Sequence, residues 1–329
     1  MPQSSKLKLL RVLDLLRETD EEHPYTANQI VRQLALYGID AERKSVLRDI
    51  AALQEYGYDI LLHADNKRGY YMASRDFEDW ELKILMDAAV GANFLTQENG
   101  ARLADKLSAL SSADGRKTLR AVTPIAATVR TGDPTTKNAV DLLLRAIRRK
   151  KKVGFRYVST GADLKKHYRY DGRTYPVSPY ALIWRQDRYY LIGSYGSYNK
   201  LSYYRLDRIR SLAILDEPIV PMEDFLGVNA DRRLREFVER NVYNYGGEKT
   251  RLKLAVDADM MDVLVDSFGS NFEVVARDEQ QVIVTLTVSD GWGLNTWLLQ
   301  HGDSVQVLEP AEIREELRRL IADVYEKYQ

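Results

Sequence analysis

The sequence of 329 residues contains no cysteine. That removes disulfides, thiolate zinc sites, iron–sulfur clusters and a thiol nucleophile, and it fits a reducing, cytoplasmic compartment. Histidine is scarce: His23, His63, His167 and His301 are single and scattered, so no pair has metal-ligand spacing and neither a metal nor a cofactor is expected. Long apolar runs are missing. The longest, such as Tyr180 to Trp184, fall far short of the ~20 residues that a membrane-spanning helix needs. The first turns mix Lys6, Lys8, Arg11 and Asp14 into an amphipathic pattern with no apolar core of signal-peptide type, so neither export nor membrane insertion is expected. No phosphate-binding glycine loop, dinucleotide fingerprint, H-E-x-x-H or nucleophile elbow occurs. The paired acids Glu21–Glu22 and Glu315–Glu316 stand in charged surroundings that read as solvated faces. No catalytic residue emerges, and the protein is not expected to be an enzyme.

Net charge is absent as well, with 48 basic and 48 acidic residues, but the balance conceals segregation along the chain. Residues 1–73 and 74–136 are each close to neutral. Residues 137–217 hold 18 basic and 7 acidic residues, an excess of +11, whereas residues 218–329 hold 12 and 21, an excess of −9. Such segregation suggests separate domains with separate partners, the middle one attracting anions. Hydrophobic residues at 45% and a length that suits two to four domains complete an ordinary globular profile.

Apolar spacing predicts a helix over residues 6–17, a second over 27–37 with Thr26 as its N-cap, and a third from about Ala41 to Tyr56 stopped by Gly57. Two short runs, 59–63 and 69–73, then read as a hairpin with a basic turn. Three helices and a hairpin make a winged helix-turn-helix over residues 1–75, whose third helix enters a DNA major groove. Its polar face offers Arg43, Lys44, Ser45 and Arg48 to phosphates or base edges, and Lys67 and Arg68 stand at the wing tip. A plain tri-helical unit with a solvated basic face fits the same pattern.

Residues 76–136 read as a helical connector of one or two helices over 76–110, either a dimerising element or a packed linker. A helix over 136–152 then leads into short β runs to residue 215, which predict a small, strongly bent sheet or barrel over 137–217. This stretch holds 11 of the 21 tyrosines. Tyrosines beside arginines suit stacking on bases with cations on phosphates, although tyrosine is also simply a good strand residue. A polar linker over 218–249 precedes residues 250–329, whose βαββαβ order with a final helix predicts a ferredoxin-like α/β sandwich. The fold class expected is therefore multidomain α+β.

Three stretches carry a family resemblance: Thr174-Tyr175-Pro176-Val177-Ser178-Pro179-Tyr180, Arg188-Tyr189-Tyr190-Leu191-Ile192-Gly193, and Tyr203-Tyr204-Arg205-Leu206-Asp207-Arg208-Ile209. They resemble the WYL domain of bacterial transcriptional regulators, with Tyr189 in place of the naming tryptophan. The Arg43 to Leu53 stretch is similar to the DeoR-type winged helix of such proteins, and Trp297 with Gly302 to Pro310 resembles their C-terminal extension. The resemblance implies a homodimeric regulator in which the winged helix binds a double-stranded DNA operator. It also implies an Sm-like or SH3-like barrel that senses an anionic effector such as single-stranded DNA or a nucleotide, and a C-terminal sandwich that aids dimerisation. The effector residues it implies are Ser178, Tyr190, Arg205 and Arg208, and the competing reading is structural, with Arg205 or Arg208 paired to Asp207 or another carboxylate to hold the barrel closed. Strand parity puts Arg205 and Arg208 on opposite faces unless a bulge or strand end intervenes. A second function fits the same residues: an RNA-binding or single-strand-binding protein acting mainly through the basic barrel.

Overall fold

The computed structural model describes residues 5–64, 69–123, 135–185, 187–196, 200–240 and 248–329. The chain mixes helices with several antiparallel sheets and divides into two compact units, residues 1–134 and 135–329.

The first unit begins with α1 (Ser5–Arg17), β1 (Tyr25–Thr26), α2 (Ala27–Leu36) and α3 (Arg43–Tyr56). Val12, Leu16, Ile30, Leu34, Val46 and Ile50 are buried together, so each helix contributes one apolar stripe to a common core. Thr26 caps α2 reciprocally. Its Oγ1 accepts from the Gln29 N–H at 3.2 Å, while the Gln29 side-chain oxygen accepts from the Thr26 N–H at 2.7 Å. Gly57 ends α3 at φ 116°, a conformation that glycine adopts without strain. The strands β2 (Ile60–Leu62) and β3 (Gly69–Met72) pair antiparallel, and β1 adds to β3, giving the order β1-β3-β2. Gly69 is needed there, because a Cβ would lie 2.6 Å from the Pro24 side chain.

The same unit continues through α4 (Asp79–Gly91), α5 (Gln97–Ser108) and α6 (Ala113–Val122), packed around Leu82, Met86, Ala104 and Leu119. Over residues 76–110, where the sequence pattern suggests one or two helices, there are two, and α6 follows beyond them. It is fastened to the end of α1. The Ala113 N–H donates to the Glu18 carbonyl at 3.0 Å, Ser112 Oγ donates to Asp20 Oδ2 at 2.6 Å, and Arg116 meets Glu18 at 2.9 Å.

In the second unit, α7 (Thr136–Arg148) lies under a bent sheet made of β4 (Lys151–Thr160), β5 (Lys166–Tyr168), β6 (Thr174–Arg185), β7 (Arg188–Tyr195), β8 (Leu201–Arg205) and β9 (Ile209–Pro218). The strand order is β5-β4-β6-β7-β8, with β9 on β4. β6 serves two neighbours: residues 174–177 pair with β4 and residues 177–185 with β7, which bends the sheet around a core of Leu143, Phe155, Val177, Leu191 and Leu206. The stretch after β9 is more than a polar linker. It forms α8 (Glu223–Leu226) and α9 (Ala230–Arg240).

The remaining elements are β10 (Lys249–Asp257), α10 (Met261–Phe268), β11 (Phe272–Arg277), β12 (Gln281–Ser289), α11 (Trp292–Gln300), β13 (Val305–Glu309) and α12 (Ala311–Glu326). Their strands form an antiparallel sheet in the order β11-β12-β10-β13, over a core of Leu254, Val256, Val284, Leu298 and Trp297. Alternation along β12 is strict. Val282, Val284, Leu286 and Val288 are buried while the residues between them are not.

Candidate nucleic-acid interfaces

On α3, Val46, Ile50 and Leu53 turn into the core, and helical geometry then gathers Lys44, Arg48, Ala51 and Glu55 within about 60° of one another on the outward face. Arg43, Lys44 and Arg48 are exposed and make no hydrogen bond or ion pair among the described residues. Neighbouring cations of the same unit are engaged instead. Lys8 meets Asp49 at 2.8 Å, Arg11 lies over the Tyr37 ring and beside Asp14, and Arg17 lies over Tyr58. Ser45 differs from its expected role: its hydroxyl accepts from the Lys8 ammonium, which ties α3 to α1 and turns Ser45 from the outward face. Lys67 and Arg68 lie outside the described residues.

In the bent sheet of the second unit, β8 ends at Arg205 and the chain turns through a 3-10 segment, Leu206–Arg208. Arg205 thus stands at the strand end and Arg208 in the turn that follows, and the charges of both bear on Asp207 between them. Arg205 Nε and Nη2 donate to the two Asp207 carboxylate oxygens at 3.1 and 2.7 Å, a planar fork on a carboxylate. Burial pushes the Asp207 carboxyl upward, but the Arg205 bonds and the charges of Arg205, Arg188 and Arg208 outweigh it and hold the group below the usual carboxylate range. Arg208 is half-buried and forms no hydrogen bond among the described residues. The Arg205 N–H donates to Tyr157 Oη at 2.9 Å. Burial raises the Tyr157 phenol, and it takes Tyr204 and Tyr180 up to about 12, so these hydroxyls remain neutral hydrogen-bonding groups at physiological pH.

The sequence-derived effector residues separate into a pair and an outlier. Tyr190 and Arg205 are direct cross-strand partners on β7 and β8. Ser178 is opposite Ser194, four residues from Tyr190 and therefore about 13 Å along β7. Its buried hydroxyl accepts from the Val220 N–H at 3.0 Å, and the Tyr180 hydroxyl donates to the Val220 carbonyl at 2.7 Å, so the two anchor the chain leaving β9. Tyr190 is 8% exposed and stands edge-on to Tyr203, with centroids 6.0 Å apart at 84°. Its ring face is not open for stacking in this arrangement. Sequence reasoning missed Arg188, whose charge reaches Asp207, and Tyr203, whose ring stacks on Phe237 at 4.9 Å and 16°. The basic run and alternation around them were visible, but the helix that covers Tyr203 was not.

Residues 138–214 match the WYL domain model, and residues 248–325 match the WCX domain model. The chain contains a WYL domain and a WCX domain. Among solved structures, proteasome accessory factor B/C (PafBC) of Arthrobacter aurescens is similar at 17% identity and a TM-score of 0.30, over 99% of this chain and 49% of that one. The chain thus spans about half the length of that PafBC protein. A CRISPR Cas-related protein is similar at 12% identity and a TM-score of 0.41, over 98% of this chain and 83% of its own. No curated protein matches the sequence. Among the described residues no helix is long and apolar enough to cross a membrane, and no carboxylate or imidazole cluster could hold a metal ion.

Proposed function

We propose that this WYL- and WCX-containing chain is a non-enzymatic, ligand-responsive transcriptional regulator of the cytoplasm. In this reading residues 1–75 are a winged helix-turn-helix that binds a duplex operator as a homodimer, and the WYL barrel takes an anionic, nucleotide-like or single-stranded effector. The observation that carries it is the contrast on the first unit: Lys8, Arg11 and Arg17 of α1 are internally engaged, while Arg43, Lys44 and Arg48 of α3 face outward without partners among the described residues. Cations left exposed toward the N-terminal end of a third helix suit phosphates and base edges in a major groove. The outward Ala51 adds no bulk to obstruct close approach. The +11 excess of residues 137–217, with Arg188 and Arg208 near Asp207, supports the effector half of the reading. The C-terminal sandwich, ferredoxin-like by its strand order, would contribute to the dimer.

The test is selection of bound duplexes from random DNA, followed by gel shift with the triple variant Arg43→Ala, Lys44→Ala, Arg48→Ala. The reading expects selected two-fold sites and loss of duplex binding in the variant. Duplex binding that survives the substitutions but depends on residues 137–217 would favour a protein acting on RNA or single strands through its barrel. Light scattering at low salt should give a dimeric mass, and a monomer at micromolar concentration would remove the dimer from the proposal.

A further inference from the structure

Alternation along β7 and β8 divides their side chains between two faces. Leu191 and Tyr204 belong to the barrel core, so Tyr190, Tyr203 and Arg205 fall on the opposite face. Tyr190 presents an edge there. Tyr203 lies flat against Phe237 of α9, with centroids 4.9 Å apart and planes 16° from parallel, the offset stack that a planar ring adopts on an aromatic side chain. Arg205 is two residues farther along β8, about 7 Å, within reach of a phosphate attached to a ring stacked on Tyr203.

Contacts with β6 and β8 hold α9 in that place. Besides the ring pair, Tyr203 Oη donates to the Phe237 carbonyl at 3.4 Å and Arg185 Nη1 donates to the Val238 carbonyl at 2.6 Å. Both carbonyls lie near the C-terminal end of the helix, where its own ladder leaves acceptors unused. Leu234, Phe237 and Val238 are half-buried, whereas Asp231, Arg232, Arg233, Arg235 and Glu239 are exposed. An eleven-residue helix is marginal without its docking surface. The other side of α9 lies near β12 of the WCX domain, where Glu236 and Glu239 line a cleft of about 230 Å³ with Phe268, Leu286 and Lys249. A helix that touches both domains can transmit a change at one to the other.

We infer that Tyr203 is the stacking platform for a base of the effector, and that Phe237 holds that place in the effector-free chain, so that binding displaces the last turn of α9. The inference rests on the reading of the barrel as the effector site and adds its platform and its internal competitor. The probe is a short fluorescein-labelled oligothymidylate titrated into the full chain by anisotropy, with hydrogen exchange of the α9 amides read in parallel. Removing the competitor in Phe237→Ala should tighten binding by roughly two- to tenfold. Tyr203→Ala should weaken it by roughly five- to hundredfold, and exchange over residues 234–240 in the parent should quicken when the oligonucleotide is added. If the parent binds and an Arg188→Ala, Arg208→Ala variant weakens it, yet Phe237→Ala binds no more tightly and α9 exchange is unchanged or slower, then α9 is plain packing and the barrel reading survives alone. If neither the parent nor Phe237→Ala binds, both readings fall. Should Phe237→Ala fail to fold, the exchange measurement on the parent decides the inference by itself.

Discussion

Replacing Arg205 with alanine tests whether this residue holds the barrel or holds a ligand. Its guanidinium makes two charge-assisted bonds to Asp207 at 3.1 and 2.7 Å, and the two side chains are only 26% and 21% exposed. Hydrogen bonds to charged groups contribute about 1.5–3 kcal/mol, and orphaning one member of a fully buried pair costs about 3–5 kcal/mol. Here partial exposure and the nearby charges of Arg188 and Arg208 soften the loss, so about 2 kcal/mol is expected. The chain has more than one unit and one global melting curve would blur the effect, so local hydrogen exchange is the better assay. Amides of β7 and β8 should exchange roughly thirtyfold faster in the variant, which is about 2 kcal/mol converted at tenfold per 1.4 kcal/mol. Acidity gives a second signature. Asp207 is held below its ordinary value of 3.8, so its ion pair stabilises the folded state above that pH and the contribution fades as pH falls through the lowered folded value. Parent and variant should therefore differ most near neutrality and converge in acid. Unchanged exchange in β7 and β8, together with a tenfold loss of oligonucleotide affinity, would refute the structural role and make Arg205 a ligand contact.

If Arg43, Lys44 and Arg48 each meet a phosphate, the triple alanine variant should bind duplex with a salt dependence shallower by about three in log–log slope; an unchanged slope would show that they contact no phosphate. Gly193→Ala should destabilise the barrel by about 1–3 kcal/mol, because the new Cβ would sit 2.6 Å from Val177 Cγ1 and 2.7 Å from the Ser178 carbonyl. Exchange of β6 and β7 amides reads this effect, and parent-like protection would contradict the close approach.

Much of the local structure was legible because its causes are local. The apolar stripe predicting a helix over 6–17 meets one at Ser5–Arg17, Thr26 caps α2, and Gly57 stops α3 with its positive φ. What failed depended on distant partners. The two residues of β1 pair with β3 more than forty positions later, and no two-residue pattern can announce that. The runs Arg173–Val177 and Tyr180–Arg185 look like separate strands because prolines interrupt them, but they are one strand whose register shifts between Pro179 and Ala181, where a missing donor is tolerated. Ser108 to Gly115 reads as a break in helical pattern, and there Ser112 accepts from the Gly115 N–H to start α6.

The candidate site shows the same division between residue type and residue role. An excess of arginine and tyrosine in one segment is visible to counting, and it drew attention to the strands β6 to β8. Counting left open whether Arg205 meets a ligand or pairs with Asp207, which it does, and gave no sign that Lys8 from another helix takes the Ser45 hydroxyl. It also passed over α9, whose charged composition reads as a linker. The helix acquires meaning only from what it covers. Phe237 finds a ring on β8, Val238 offers a carbonyl to an arginine of β6, and the glutamates on its far side meet the sheet of the next domain. A segment with a short apolar stripe cannot order itself, so its order reports the surface beneath it. That dependence is what suits α9 to respond when a ligand competes for Tyr203, because the contacts that fold the helix are the ones a ligand would take.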